Sequence, residues 1–240
     1  MDASCNIMSM KKYLEMQRGF YDSAALLWSL KDKDPVIGGY DRHNNHKDYD
    51  DFLFKGIDTS DLIAMDYGTG PGRNIVKFWD RFKRIDGVDI GKQNIKNAKL
   101  NLAQAGITEA TLYICDGKSV PVDDETYDVF FSTICLQHIC SYDIRFSILQ
   151  DAYRILKLGG HICFQMGFGG KPIKDSVSDY YENMYNATHT NGRYDVSFAD
   201  AEYLREDLVN KIGFETFEYD VRPSGPGDRH GCWIFVRAKK

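Results

Sequence analysis

The chain has 240 residues, 43% hydrophobic and 27% charged, with a formal net charge of −5. That suffices for one large α/β domain or a core with an added cap, and the acidic balance argues against broad attraction to nucleic acid or an anionic membrane surface. No apolar run approaches the roughly 20 residues of a membrane span, the start MDASCNIMSMKKYLEM has no signal-peptide segment, and six cysteines scattered without a CxxC pair fit a reducing cytoplasm and no metal site.

Residues 1 to 10 read as a frayed start. From Lys11 to about Leu30, residues Tyr13, Met16, Phe20, Ala24 and Leu27 recur at helical spacing, with Gly19 a point of breakage. The following KDKDPVIGGYDRHNNHKDYDDFLF is too polar for a core and too aromatic for a plain linker. It reads first as a solvated loop and second as a substrate contact. His43 and His46 are spaced like a metal pair, but no later cluster completes a shell. Residues 1–55 are therefore expected to be an N-terminal helical and lid segment, and residues 56–240 the main domain.

Residues 62 to 89 carry the strongest pattern. Leu62 to Met65 is the short apolar run of a buried strand. Asp66 and a turn with Gly68, Gly70 and Gly72 follow. Ile75, Val76, Phe78, Trp79 and Phe82 then mark a helix, and Arg84 to Val88 a second strand closing on Asp89. Such a βαβ unit binds a nucleotide-like ligand at its strand ends, with the terminal acid on the ribose hydroxyls. A dinucleotide fingerprint needs a third glycine at position 73, which is Arg73. The pattern here is D-x-G-x-G-x-G, and it resembles the first motif of the class I S-adenosylmethionine-dependent methyltransferases. The resemblance implies that Asp66 faces the ligand's ammonium and that the glycine N–H groups face its carboxylate.

The rest of the chain keeps that family's rhythm. Ile95, Ala98, Leu102 and Ala105 mark a helix ending at Gly106, and Ala110 to Cys115 a third strand. Asp116-Gly117 follows at the position where the resemblance implies an adenine contact; a plain Asp-Gly turn is the other reading. A fourth strand runs from Tyr127 to Phe131, with Asp128 structural. Tyr142 to Leu156 is a helix, KLGG a turn, and HICFQMGF a fifth strand. Residues 168–200 form an insertion, expected to be a partly helical cap because a structureless loop of that length is uncommon. A helix from Ala201 to Ile212 and strands at 214–221 and 232–237 close the chain. The fold implied is α/β: a Rossmann-like, seven-stranded, mostly parallel sheet with a C-terminal antiparallel hairpin.

The implied cofactor is S-adenosyl-L-methionine, held by Asp66, Gly68, Thr69, Gly70, Gly72, Asp89, Ile90, Asp116, Gly117 and Ser132. The expected activity is methyl transfer to a small-molecule acceptor at a hydroxyl oxygen, in the cytoplasm, without nucleic acid or membrane. Tyr21, Tyr40, His43, Tyr181 and Tyr185 are the substrate candidates, because tyrosine offers an apolar face and a hydroxyl. His138 is the candidate general base: it follows the fourth strand, and imidazole ordinarily titrates near 6.5. A packed histidine bonded to a backbone carbonyl is the rival reading. A nicotinamide-dependent oxidoreductase and a non-catalytic cofactor-binding module are the alternatives.

Overall fold

A computed structural model of the chain describes residues 9–27, 49–169, 181–182, 195–223 and 230–240. Its centre is a parallel set of strands: β1 (Ile63–Tyr67), β2 (Arg84–Asp89), β3 (Leu112–Ile114), β4 (Tyr127–Ser132) and β5 (Leu156–Phe168). β1 lies between β2 and β4, with Ile63 opposite Arg84 and Ala64 opposite Val129. Both faces of β1 and β4 are buried, which is why these strands read as continuous apolar runs rather than alternating ones. On one face, Met65 and Phe130 pack with Ile144, Ile148, Ala152 and Ile155 of helix α5 (Tyr142–Ile155). On the other, Ala64, Val129 and Phe131 pack with Ile75 and Phe78 of α3 (Arg73–Phe78) and Leu53 of α2 (Tyr49–Leu53).

The closing hairpin is present. β9 (Cys232–Lys239) runs antiparallel to β5 from His161 opposite Lys239 to Phe168 opposite Cys232, and β8 (Glu218–Pro223) pairs antiparallel with β9. The sheet departs from the seven expected strands in having two more among the described residues, β6 (Tyr181–Glu182) and β7 (Asp195–Phe198). Both fall in the 168–200 insertion, so its described parts are strand where a partly helical cap was expected. β7 pairs with β5 only at Gly167 and Phe168, on the edge that β4 leaves at Phe164. Extended pairing wins because β4 ends early and leaves that edge of β5 with backbone groups to satisfy.

Other boundaries shift for local reasons. β5 begins at Leu156 rather than His161, and the KLGG turn becomes part of it through a register shift opposite Tyr127 and Val129. The last helix is α6 (Glu202–Arg205), continued as π-helix over Glu206–Ile212 and stopped by Gly213 at φ 110. β8 starts at Glu218 rather than Phe214, because Phe214 turns inward onto Tyr153 with ring centroids 5.0 Å apart. Asp128 is structural, as expected: it accepts the Ile63 N–H at 2.9 Å and pairs with Lys157 at 2.8 Å. Two cations of the segment after β1 cover an aromatic cluster, Lys77 over Phe78 and Arg81 over Phe54.

Helix α1 (Met10–Leu27) runs unbroken through Gly19, which is exposed and has nothing near it. It docks on α4 (Lys92–Gln104) by polar contacts. The Asp22 carboxylate accepts the Gln93 N–H at 2.8 Å, capping the first turn of α4 from outside, where the N-cap Gly91 has no side chain to do so. Asn97 donates to the Ala25 carbonyl at 3.0 Å. Asp22→Ala should therefore lower stability by about 1 kcal/mol, as lost N-caps do; urea denaturation checks it, and an unchanged midpoint would mean that α1 docks without the cap. Among the described residues, no helix is long and apolar enough to cross a membrane.

Candidate active site

The C-terminal ends of β1, β2 and β4 open into a cavity of about 280 Å³. Its floor is the glycine turn. The Gly68 and Thr69 N–H groups both donate to the Val88 carbonyl, at 2.9 and 3.0 Å, folding the turn back onto β2. Gly68 has φ 73, and a Cβ there would collide with Cys135 Sγ. Glycine is thus required at this position by both backbone and space. The Gly70 N–H donates to Asp89 and the Gly72 N–H to the Thr69 carbonyl. All three glycine amides are thus committed within the protein, and none is left for a ligand carboxylate as the motif alone suggested. Arg73, the first residue of α3, stands on the cavity wall beside the turn and supplies a cation there.

Asp89 also lines the cavity. Its Oδ1 accepts from the Gly91 N–H at 2.7 Å and Asn94 at 3.2 Å, and its Oδ2 from the Gly70 N–H at 2.9 Å. Burial raises its pKa, and those three donors pull it partly back. Each carboxylate oxygen has two lone pairs, so Oδ2 keeps one for a ligand. Asp66 lies fully buried behind Thr69 and Asn74, which line the wall. Neither of its oxygens completes a hydrogen bond. Burial pushes its pKa up to about 7, with Thr69, the Arg73 charge and Asn74 opposing the rise.

The remaining expected residues divide. Gly117 and Ile90 are on the wall, and a Cβ at Gly117 would strike Leu14 and Ile90. Asp116 is exposed and not on that wall. Its Oδ1 accepts the Lys118 and Ser119 N–H groups, both at 2.8 Å, which makes an Asx turn. Its pKa is lowered: burial acts upward, but the Ser119 and Lys118 amides outweigh it. Ser132 is buried beneath the cavity, donating to the Tyr67 carbonyl at 2.9 Å and tying β4 to β1. Tyr40, His43 and Tyr185 lie outside the described residues. Tyr181 is on β6, its backbone paired with Asp195.

α1 closes the cavity's open side with Tyr13, Leu14, Gln17 and Tyr21. Opposite stands His138, half-buried on a 3₁₀ turn (Leu136–His138) after β4. That turn is held by its backbone. The His138 N–H donates to the Cys135 carbonyl at 2.9 Å, and the His138 carbonyl accepts from Gln17 at 3.1 Å. The Tyr13 hydroxyl accepts the Cys140 N–H and Gln17, both at 2.8 Å. Sequence reasoning passed over Gln17, Arg73 and Asn74. Arg73 registered only as the missing third glycine, and a buried glutamine has no periodic signature.

The wall therefore offers a carboxylate at Asp89, a guanidinium at Arg73, the polar side chains of Thr69 and Asn74 with the buried Asp66 behind them, and apolar side chains at Leu14, Ile90 and Ile139. Asp66, Thr69 and Asn74 cluster buried oxygens at this wall, and a ligand ammonium beside Thr69 and Asn74 would find acceptors there. These residues fit S-adenosylmethionine. Residues 65–164 match the family model described as "Methyltransferase domain". Those residues form a methyltransferase domain.

Solved structures share the fold of this methyltransferase domain. A phosphoethanolamine N-methyltransferase 2 from Haemonchus contortus, in complex with phosphomonomethylethanolamine and S-adenosylhomocysteine, superposes with a TM-score of 0.65 at 17% identity over 98% of this chain. The chain spans 60% of that protein's length. A SAM-dependent methyltransferase from Aquifex aeolicus gives a TM-score of 0.54 at 13% identity, covering 76% of this chain and 84% of the other. One from Methanosarcina mazei gives 0.56 at 16% identity, covering 76% and 93%. No curated protein sequence matches the chain.

Proposed function

We propose that this enzyme transfers a methyl group from S-adenosylmethionine to a hydroxyl oxygen of a small-molecule acceptor, with His138 taking the proton. The observation that carries the reading is that Asp89 and His138 line the same cavity under α1. The bound cofactor would supply an electrophilic methyl on a sulfonium. In the transfer an O–C bond forms, the S–C bond breaks, and the acceptor's proton moves to the His138 imidazole. Asp89 would accept the ribose hydroxyls, Asp66 with Thr69 and Asn74 would face the ammonium, and Arg73 the carboxylate. Tyr13, Gln17 and Tyr21 would exclude water, and Tyr13 and Gln17 hold the His138 turn, so positioning and desolvation accompany the proton transfer. An acceptor of small size agrees with the net charge of −5 and with the phosphomonomethylethanolamine bound in the Haemonchus structure.

Asp89→Ala should weaken binding of both S-adenosylmethionine and S-adenosylhomocysteine by roughly tenfold to a hundredfold, the loss typical of about 1.5–3 kcal/mol in charge-assisted hydrogen bonds. Calorimetry on the folded variant decides it. Unchanged affinity would take Asp89 out of the cofactor site, and tighter binding of a nicotinamide dinucleotide by the wild type would turn the assignment towards the oxidoreductase reading.

A further inference from the structure

Polar side chains collect around Gly167 on the sheet face that carries Phe131, Cys163 and Phe235. Gln165 follows Cys163 by two residues along β5 and so shares that face, as does Gly167. Gly167 is paired with Trp233 on one edge and Ser197 on the other, and side chains directly across a strand pair point the same way. His230 lies over Gly167: a Cβ there would collide with the imidazole ring, whose centroid is 4.4 Å from that of Trp233. Gln165, Ser197, His230 and Trp233 are all buried, none more than 6% exposed.

Three of these side chains have atoms left over. Gln165 Nε2, Ser197 Oγ and Trp233 Nε1 are buried without a hydrogen-bond partner. An unsatisfied buried donor is costly, and several at one spot call for a partner. The indole and amide nitrogens donate only, and the hydroxyl can donate too, so an added acceptor would satisfy all three. Arg222, opposite Trp233 on β8, adds positive charge on the same face. Asp220, two residues back on that strand, is engaged by Lys55 at 2.7 Å and Arg237 at 2.6 Å. The spot adjoins the cavity, since Gln165 Oε1 accepts the N–H of Ile134, a wall residue, at 2.9 Å.

We propose that Gln165, Ser197 and Trp233 form the subsite for an oxyanion carried by the acceptor, a carboxylate or a phosphate. Its role rests on the methyl-transfer reading; its chemistry does not. The test follows the indole N–H resonances of the full chain, with Trp233 assigned through Trp233→Phe and confirmed by its response to Ser197→Ala. Inorganic phosphate, acetate and chloride at matched ionic strength are added with and without S-adenosylhomocysteine. The Trp233 resonance should move saturably with phosphate or with acetate, and which one moves it names the group on the acceptor. Ser197→Ala should weaken that binding by roughly tenfold, the cost of one hydrogen bond to an anion. Gln165→Glu keeps the acceptor for Ile134 but sets a negative oxygen in place of the donor, and should abolish the shift. Cofactor-product affinity should stay within about twofold in both. A Trp233 resonance that neither anion moves, or that chloride moves equally, overturns the subsite, as do variants that titrate like the wild type. Failure of S-adenosylhomocysteine to bind would count against methyl transfer alone, because the anion titration is readable without it.

Discussion

His138→Ala is expected to lower the methyl-transfer rate by at least about a hundredfold while leaving cofactor affinity nearly unchanged, a general base contributing typically 10²–10⁴-fold. The separation of the two effects follows from how the residue is held. Its turn is fixed by main-chain atoms, the N–H to Cys135 and the carbonyl to Gln17, so truncating the ring leaves the turn in place. The buried Arg145 pins the next stretch by donating to the Cys140 carbonyl at 2.9 Å. Asp89 and the glycine turn, on β1 and β2, do not depend on that ring. Single-turnover rates and calorimetry, run on the same preparation, measure both quantities. A variant that binds cofactor normally and loses less than about fivefold would move the base elsewhere or show that the acceptor needs none.

The same turn marks where sequence reading succeeds and stops. The βαβ unit was legible because strands buried on both faces must be apolar throughout, and because Gly68 is demanded by φ and by Cys135 together. The hairpin of β8 and β9 was legible for a similar reason, since long antiparallel strands announce themselves by length. The docking of α1 was not. An apolar stripe through Tyr13, Met16, Phe20, Ala24 and Leu27 presumed an apolar partner, yet Phe20 is 59% exposed while Gln17 is buried. Tyr13 does enter the apolar core, but the helix also meets polar groups of α4 and the His138 turn, and hydrophobic periodicity carries no information about such partners. Asp116 illustrates a different limit. An Asp-Gly pair after a strand suits both a ligand contact and an Asx turn, and only coordinates show its Oδ1 taken by two local amides. Gln165, Ser197 and Trp233 stand far apart in sequence and meet only through strand register.

Binding of S-adenosylhomocysteine should weaken as pH falls below about 7, by up to about tenfold per pH unit, and Asp66→Asn should remove that dependence. The cause is the burial of Asp66 with both oxygens unbonded, which lifts its pKa from 3.8 to about 7. Below that value the free protein holds the acid neutral, and a ligand ammonium must displace the proton to gain its ionic partner. The same shift sets a sign for stability. The folded state binds this proton more tightly than the unfolded chain, so the stability that Asp66 contributes is present at low pH and lost as pH rises from about 4 to about 7. A shift of that size corresponds to a few kcal/mol, on the order of 4 as an upper figure. Asp89 is also raised by burial, but its three donors make it a weaker contributor, and the Asn variant at position 66 isolates the larger one. Calorimetric titrations between about pH 5.5 and about pH 7.5, with urea unfolding of the free protein at the same two values, measure both signs at once. Wild-type affinity that is flat across this range, or an Asp66→Asn protein that keeps the wild-type slope, would mean that the ammonium is met by another group and that the buried carboxyl of β1 has a purely architectural role.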